Sequence, residues 1–316
     1  MTDNSRSVPA RVKPGREHPA APAGAAAHRT GWSRARYLWF AAPSFVIMSV
    51  VMLFPLGYAL FNSFFSYTLG GPRTFVGLGN YLTTIASGAF WHSVTVSVLF
   101  TLVSVALQFA LGMYLALLLD KVLRGRRVLS TLLYLPYVIT ASAAGVIFRW
   151  MLMPEWGILN QLIEGLGLTA PNWFDDGFWA LVAVIGAEVW QNTPFVVIIL
   201  FAGLQSVSDE QVEAALIDGA SPWGVFRNVK LPHLRHLILL VLMMRTMDTW
   251  RLFDRIYVMT GGGPGDATET MVLFNFRTSF RLLQVGQGLA VGFLTLVILL
   301  IPIGMYLRAM RSAEVD

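Results

Sequence analysis

Six long apolar runs constrain the fold of this chain more than any other feature. They lie near residues 38–61, 91–119, 132–153, 178–204, 234–258 and 288–307. Each run is long enough to cross about 30 Å of hydrocarbon at ~1.5 Å per residue of α-helix. A bilayer interior offers no partner for backbone N–H and C=O groups, so such a run must satisfy them within a helix. The sequence therefore predicts an all-α integral membrane protein with six transmembrane helices.

The composition agrees with a membrane location. Of the 316 residues, 55% are hydrophobic and 13% are charged, with a mean hydropathy of +0.61, whereas soluble domains carry about 25% charged residues. The chain has no cysteine, which excludes disulfides and thiolate metal sites, and no metal or cofactor site is expected in it. A pI of about 9.7 could suggest nucleic-acid binding. The basic residues lie mainly beside the apolar runs, where the positive-inside rule accounts for them, so no nucleic-acid partner is expected.

Charged residues outside the runs predict the orientation of the chain. Residues 1–36 are rich in Pro, Ala and Arg and are expected to form a disordered, basic cytoplasmic tail. The first run is longer than a signal-peptide core and no cleavage site follows it, so it is expected to remain as a span. The later charged residues alternate in sign, with Lys121, Arg124, Arg126 and Arg127 after the second run, Glu155, Glu164, Asp175 and Asp176 after the third, and Arg308 and Arg311 after the sixth. This alternation places both termini in the cytoplasm, with a six-span domain over 37–312 and a short tail at 313–316.

An amphipathic segment, 208–232, separates the fourth and fifth runs. Ser208 followed by two acids is typical of a helix start, and apolar residues at helical spacing predict one helix from Asp209 to about Asp218. Gly219 is expected to end it, and Ser221-Pro222 can start another because Pro fits the first turn of a helix. The segment is therefore predicted to form two short helices bent at a glycine, on the cytoplasmic side.

The same segment carries a spaced pattern of residues: Glu213-Ala214-Ala215, Asp218-Gly219-Ala220, Phe226 and Leu231-Pro232. This pattern resembles the cytoplasmic coupling loop of permease subunits of bacterial ABC importers. An ordinary amphipathic surface hairpin is the alternative, and it does not explain the position between two spans. The resemblance implies that the loop docks on an ATPase subunit through Glu213, Ala214, Ala215, Asp218, Gly219, Phe226, Leu231 and Pro232. No Gly-Lys-Ser/Thr phosphate loop occurs in the chain. ATP and Mg are therefore expected on partner subunits, and the chain itself is not expected to be an enzyme.

Polar residues interrupt the fourth and fifth runs. Glu188, Gln191, Asn192 and Phe195 fall at i, i+3, i+4 and i+7, which is one helical face. Carboxylate and amide groups are costly in a membrane helix unless they face protein or water. Such a face suits sugar hydroxyls, but Asn and Gln also join helices to one another. In the fifth run, Arg245, Asp248 and Arg251 are spaced by three, which allows ion pairing along a face, and Glu188 is a plausible partner for Arg245.

A second pattern follows the fifth run, Phe253-Asp254 and then Thr260 before Gly261-Gly262-Gly263-Pro264. It resembles a signature of sugar-type ABC permeases, and the similarity, which covers about 37–310, is closest to trehalose-type importers. Carrying over the sugar-contacting positions of maltose-type permeases assigns substrate binding to Glu188, Gln191, Asn192, Phe195, Arg245, Thr249 and Leu252. Several of these side chains differ from the maltose permease pattern. Asp248, Arg251, Asp254 and Arg255 are instead open to an interpretation as structural ion pairs.

The resemblance implies a permease subunit in a bacterial cell membrane that carries a disaccharide such as trehalose or maltose by alternating access. Its expected partners are a second homologous permease, two ATPase subunits, an external sugar-binding lipoprotein or periplasmic protein, the sugar and the lipid bilayer. Three alternatives remain open. One is a different cargo, namely a polyol, a monosaccharide or glycerol phosphate. Another is an ion-gradient-driven carrier, in which the charged spans act as proton relays. The last is a membrane glycosyltransferase, for which no loop offers a suitable carboxylate or metal cluster.

Overall fold

The computed structural model describes residues 34–68, 70–121 and 125–313, with side chains from 42 to 312 within those ranges. Residues 1–33 of the predicted tail, Arg124 of the basic loop and residues 314–316 lie outside the described residues.

Helices account for most of the described chain. They are α1 (Arg34–Ser63), α2 (Gly79–Ala86), α3 (Gly88–Lys121), α4 (Arg126–Val138), α5 (Ala141–Met151), α6 (Ile158–Gly165), α7 (Gly177–Leu204), α8 (Asp209–Ile217), α9 (Pro222–Val225), α10 (Leu231–Trp250), α11 (Asp254–Met259), α12 (Met271–Phe276) and α13 (Val285–Ala313). Two π-helical segments cover Phe226–Lys230 and Arg277–Arg281. A short antiparallel hairpin pairs β1 (Phe65–Ser66) with β2 (Thr74–Phe75). Within the described residues the fold is all-α apart from this hairpin.

The chain divides after Phe54 into two compact units, Met1–Phe54 and Pro55–Asp316. The described part of the first unit is the apolar N-terminal portion of α1. The second unit holds the end of α1, all the other helices and the polar cluster described below. The predicted domain bounds at 36/37 and 312/313 stay a prediction.

Four described helices are long and apolar enough to cross a membrane. They are Ala42–Ser63 within α1, then α3, α7, and Val285–Ser312 within α13. The bent pair α4–α5 makes a fifth if it counts as one span. The remaining predicted run falls on α10, whose 20 residues would extend ~30 Å but include Arg235, Arg245 and Asp248. The predicted total of six spans therefore stays a prediction.

The predicted third span is not one straight helix. α4 and α5 meet at 95° across a break at residues 139–140. Pro136 lies in the last turn of α4 and cannot donate a backbone hydrogen bond there. Ile139 is extended, and Thr140 starts α5 by accepting a hydrogen bond from the Ala143 N–H at 3.3 Å. The proline and the new cap together explain the bend.

The predicted fifth span, 234–258, is also interrupted. α10 ends at Trp250, and α11 begins only at Asp254. Arg251 leaves its side chain 66% exposed, whereas Arg255 turns back into the interior and is 1% exposed. The interruption thus separates a charged group that faces solvent from one that is buried.

α7 lies among the helices that carry polar residues, since it contacts α3, α4, α5, α10 and α11. Small residues permit this close packing. Gly112 of α3 faces Val196 of α7, and a Cβ on that glycine would lie 2.6 Å from the Val196 side chain. Gly145 of α5 similarly faces Arg255, whose Cα would lie 3.4 Å from an added Cβ. The close packing brings side chains from four helices within reach of the middle of α7.

The segment 208–232 forms the two predicted short helices, bent at Gly219. α8 ends at Ile217, and Gly219 has a φ of +81°. The Ser221 hydroxyl caps α9 by accepting a hydrogen bond from the Gly224 N–H at 3.2 Å. The second helix differs from the prediction, because it continues through the π-helical segment directly into α10. A displacement of α9 would therefore be passed to α10 along a continuous helical path.

Candidate functional site

Glu188, in the middle of α7, is the centre of a buried polar cluster. Its side chain is 1% exposed, so its charge needs partners in place of water. Oε1 accepts from Arg245 Nη2 at 2.9 Å, Asn192 Nδ2 at 3.0 Å, Gln108 Nε2 at 3.2 Å and Thr249 Oγ1 at 3.4 Å. Oε2 pairs with Arg255 Nη1. The carboxylate therefore joins α3, α7, α10 and α11.

Gln191 and Gln108 extend the cluster to both sides. Gln191 accepts a hydrogen bond from Arg255 and donates one to the carbonyl of Ile139, at the break between α4 and α5. A helix end leaves backbone carbonyls without a helical partner, and this amide supplies one. Gln108 accepts from Arg245 Nε at 2.9 Å. These amides thus hold the broken helix and both arginines in place around Glu188.

A cavity of ≈180 Å³ opens beside this cluster. Its lining consists of Tyr137, Ala141, Glu188, Gln191, Asn192, Arg245, Asp248, Leu252 and Arg255. Asp248 sits at the rim, where it pairs with Arg251 at 2.8 Å and approaches Arg245 at 3.5 Å. The lining holds two carboxylates and two guanidinium groups, so its formal charges cancel.

The structure brings the seven residues predicted to bind substrate into one region. Five of them, Glu188, Gln191, Asn192, Arg245 and Leu252, line the cavity. Phe195 lies just outside, with its ring centroid 5.7 Å from the Arg245 guanidinium. Thr249 is buried behind Glu188 and is 2% exposed. Whether these residues bind substrate stays a prediction.

Sequence reasoning missed five contributors or gave them another role. Gln108 had no assigned role, and neither did Tyr137 or Ala141. Arg255 and Asp248 were considered as ion-pair residues, and both also line the cavity. One signal was present for Gln108, a lone amide within an apolar run, because polar groups inside membrane helices usually face protein or water. Ala141 offered no signal, since its place depends on the bend between α4 and α5.

The residues assigned to coupling lie on a surface beside α3. Glu213, Ala214, Asp218, Gly219 and Pro232 are exposed, and Ala215, Phe226 and Leu231 are partly buried. Sequence reasoning missed three exposed apolar side chains, Leu216, Ile217 and Trp223, which are 51%, 86% and 67% exposed. Leu216 and Trp223 line a groove of ≈470 Å³ together with Phe226. An exposed apolar patch rimmed by polar groups is typical of a protein contact surface.

Among the described residues, no group of three or more His, Asp or Glu side chains is arranged to hold a metal ion. The polar cluster instead uses its acids and amides to neutralise and position two arginines. Helices long and apolar enough to cross a membrane, packed around a buried polar cluster, are typical of a membrane transport protein.

Comparison with known proteins identifies the family. Residues 108–312 match the family described as binding-protein-dependent transport system inner membrane component. The chain belongs to this family, and it is the membrane-embedded transport component and not the ATPase. It is thus a multi-pass protein of the inner membrane and functions with a binding protein.

Two curated relatives and one solved structure are similar over most of their length. The trehalose/maltose transport system permease protein MalF of Thermococcus litoralis is 38% identical over 239 residues, covering 76% of this chain and 81% of the relative. The trehalose transport system permease protein SugA of Mycobacterium tuberculosis is 35% identical over 257 residues, covering 80% and 81%. A chain of a bacterial ABC transporter that imports the acidic polysaccharide alginate has the same fold. Its TM-score is 0.76 at 20% identity, covering 89% of this chain and 96% of that one.

Proposed function

We propose that this chain is a permease subunit of an ATP-driven importer for a neutral sugar, most simply a disaccharide of the trehalose or maltose kind. The observation that carries the proposal is the charge-balanced cavity beside Glu188, in a chain whose relatives transport trehalose and maltose. Sugars bind where hydrogen-bonding groups lie beside aromatic surface, and Tyr137 and Phe195 supply rings 5.8 Å apart at this cavity. A polyol or a monosaccharide uses the same chemistry and is the second candidate.

The charge balance argues against glycerol phosphate as cargo. Both guanidinium groups that could bind a phosphate are engaged, Arg255 with Glu188 and Arg245 with Glu188 and Gln108. A phosphate would therefore have to displace a carboxylate from each arginine. A neutral sugar can form hydrogen bonds at positions of Asn192 and Asp248 that are not already used, and this leaves the ion pairs intact.

The cavity also implies a partner. Its ≈180 Å³ is below the ~300–1,000 Å³ typical of small-molecule sites. The proposal therefore includes a second, similar permease that supplies the other wall. The complex also includes two ATPase subunits, one of which docks on segment 208–232, and an external binding protein that delivers the sugar. The membrane domain has six spans, with α4–α5 and α10 as the third and fifth, and both termini in the cytoplasm.

A gradient-driven carrier is less well supported, because it would have no use for segment 208–232.

The test is uptake of radiolabelled trehalose and maltose by the complete complex in proteoliposomes, with and without enclosed ATP. Asn192→Ala removes a cavity-lining amide without removing a charge. A lost neutral hydrogen bond costs about 0.5–1.5 kcal/mol, so the substrate concentration for half-maximal uptake should rise about 2- to 10-fold. Thr193→Val is the control on the adjacent residue, because Thr193 does not line this cavity and donates its hydroxyl to the Val189 carbonyl at 2.6 Å.

Three results would count against the proposal. Unchanged uptake kinetics in Asn192→Ala would place the sugar elsewhere. An equal defect in Thr193→Val would indicate a general packing effect. Uptake that follows an ion gradient without ATP would favour the gradient-driven carrier.

A further inference from the structure

α2 has an inverted distribution of polar and apolar residues. Its inward side chains are polar, since Asn80 is 8% exposed and Thr84 is completely buried. One outward face is apolar: Leu82 and Ile85 are 66% and 42% exposed, and Leu78, the residue before the helix, extends this face at 60%. A helix on a water-facing surface shows the opposite arrangement. The outward face of α2 therefore faces something other than water.

The polar side of α2 fixes its depth relative to the membrane. Asn80 Nδ2 donates to the carbonyls of Ser63 at 2.7 Å and Phe65 at 2.9 Å, and Ser63 is the last residue of α1. The Tyr81 and Ser63 hydroxyls lie 2.6 Å apart. α2 is thus held at the point where the first span ends.

Two further spans end at the same place. α3 begins at Gly88, two residues after α2 ends. α13 begins at Val285, and a Cβ added to the next residue, Gly286, would lie 1.9 Å from the Phe65 carbonyl oxygen and 3.2 Å from Asn80 Nδ2. The end of α1 and the start of α13 thus meet at Asn80, and α2 leads directly into the start of α3, so α2 lies where three candidate spans begin or end.

We propose that α2 is an interfacial helix whose exposed face contacts phospholipid at the boundary between headgroups and acyl chains. This inference depends on the membrane spans and not on the cargo or on ATPase coupling. Trp91 continues the same face, because its indole Nε1 donates to the Ile85 carbonyl at 2.8 Å. Trp side chains favour this zone of the membrane. In the topology proposed above, this is the external surface.

Neighbouring residues favour lipid over a protein as the occupant. Trp91, Val98 and Leu102 recur at i, i+7 and i+11 and are exposed. Thr95, also exposed on this face, donates its hydroxyl to the Trp91 carbonyl at 2.9 Å, so the exposed surface stays mainly apolar along the span α3. The Arg73 guanidinium lies 3.9 Å above the ring of Phe65, whose carbonyl accepts from Asn80 of α2, and a cation at this place can meet lipid phosphate. An apolar face with basic residues at its water edge is typical of interfacial helices.

The experiment uses the natural absence of cysteine. The variants Leu82→Cys and Thr83→Cys, both at exposed positions of α2, are labelled with bimane in the full complex reconstituted in nanodiscs. Thr83 is one residue away and off the apolar face, so it serves as the matched control. Quenching is measured with phospholipid that carries a nitroxide on the headgroup or near the top of the acyl chain, and separately with iodide.

The label at position 82 should be quenched several-fold more by the lipid nitroxides than the label at position 83, and less by iodide. Equal iodide quenching at both positions, without lipid quenching, would show that the face lies in water. Protection of position 82 from both quenchers would assign the face to a protein partner. Either result overturns the proposal. Ile85→Cys repeats the measurement on the same face, and ATP-dependent uptake confirms that each labelled complex is assembled.

Discussion

At the scale of single residues, Glu188 pairs with two buried arginines at once. Arg245 and Arg255 are 4% and 1% exposed and both pair with this carboxylate. Removing one partner of a buried ion pair typically costs about 3–5 kcal/mol. Glu188 is therefore poorly suited to release either arginine for a substrate. Asn192 and Asp248 are the cavity residues with more freedom to respond to a sugar.

Glu269 is a second buried acid, in the loop between α11 and α12. Arg277 Nη2 lies 2.9 Å from Glu269 Oε2, and Arg277 Nη1 lies 3.0 Å from Asp266 Oδ1. Burial raises the pKa of Glu269 to about 7, and it outweighs the opposite effect of Arg277. His92 and Arg281 also lower this pKa, and Asp266 raises it. The native loop therefore binds a proton more tightly than the unfolded chain does.

This shift predicts the pH dependence of stability. Between the ordinary pKa of 4.5 and the folded value of about 7, the native state keeps a proton that the unfolded state has lost. Stability should fall as pH rises through this window and level off above it. Glu269→Gln should flatten the dependence of the melting temperature between pH 5 and 8, measured by tryptophan fluorescence on the purified complex. Glu164→Gln is the control, because Glu164 is an exposed acid outside this loop and is not one of the groups that shift the Glu269 pKa. A slope that persists in Glu269→Gln would assign it to another group.

Helical spacing predicted part of the cluster, and tertiary structure supplied the rest. Glu188, Gln191 and Asn192 were placed on one face from their spacing, and the pairing of Glu188 with Arg245 was foreseen and is confirmed. Gln108 is 80 residues from Glu188 in the chain, and spacing along one helix cannot relate them. Arg255 enters the cluster only because the chain turns between α10 and α11. No local sequence pattern predicts that this turn directs Arg255 back toward Glu188.

At the scale of elements, the segment 208–232 is tied to the membrane helices by one acid. Asp120, near the end of α3, pairs with Lys230 at 2.6 Å and accepts from Gln205, just after α7, at 2.8 Å. The π-helical segment that contains Lys230 continues into α10, which carries Arg245 and Thr249. A movement of α8 and α9 would therefore reach the polar cluster by a short path.

Gly219 sets the angle between α8 and α9, which leads to a prediction. At its φ of +81° a side chain costs about 1–2 kcal/mol, although a Cβ would meet no atom within 4 Å. Gly219→Ala should therefore change the bend without a clash. It should reduce the stimulation of ATP hydrolysis by sugar-loaded binding protein, measured on the reconstituted complex. Gly224→Ala is the matched control, because Gly224 is helical and its nearest contact would be an ordinary 3.5 Å. Full stimulation in Gly219→Ala would argue against a coupling role for this bend.

At the scale of the whole molecule, the apolar runs predicted where helices lie better than how they are broken. The runs at 91–119 and 178–204 correspond to α3 and α7. The run at 132–153 contains Pro136, which signalled a kink, but the 95° angle also depends on Thr140 as a new cap and on Gln191 as a partner for Ile139. The run at 234–258 is not one helix, since α10 ends at Trp250 and α11 begins at Asp254. Arg251 faces solvent at this break, and Arg255 after it pairs with Glu188. Hydropathy along one chain does not contain these contacts.

The orientation of the chain in the membrane is the last prediction. Lys121 and Arg127 lie on either side of the junction between α3 and α4 in the sequence, whereas Glu155, Glu164 and Asp175 lie beyond α5. Basic residues are retained on the cytoplasmic side more strongly than acidic ones. Arg127→Cys and Glu164→Cys, both at exposed positions, separate the two sides in a chain that has no other cysteine. An impermeant maleimide should label position 164 in intact spheroplasts, and position 127 only after permeabilisation. Labelling of position 127 from outside would show that the topology is reversed. Segment 208–232 lies on the same side as position 127 by the count of spans, so it would then be out of reach of ATP.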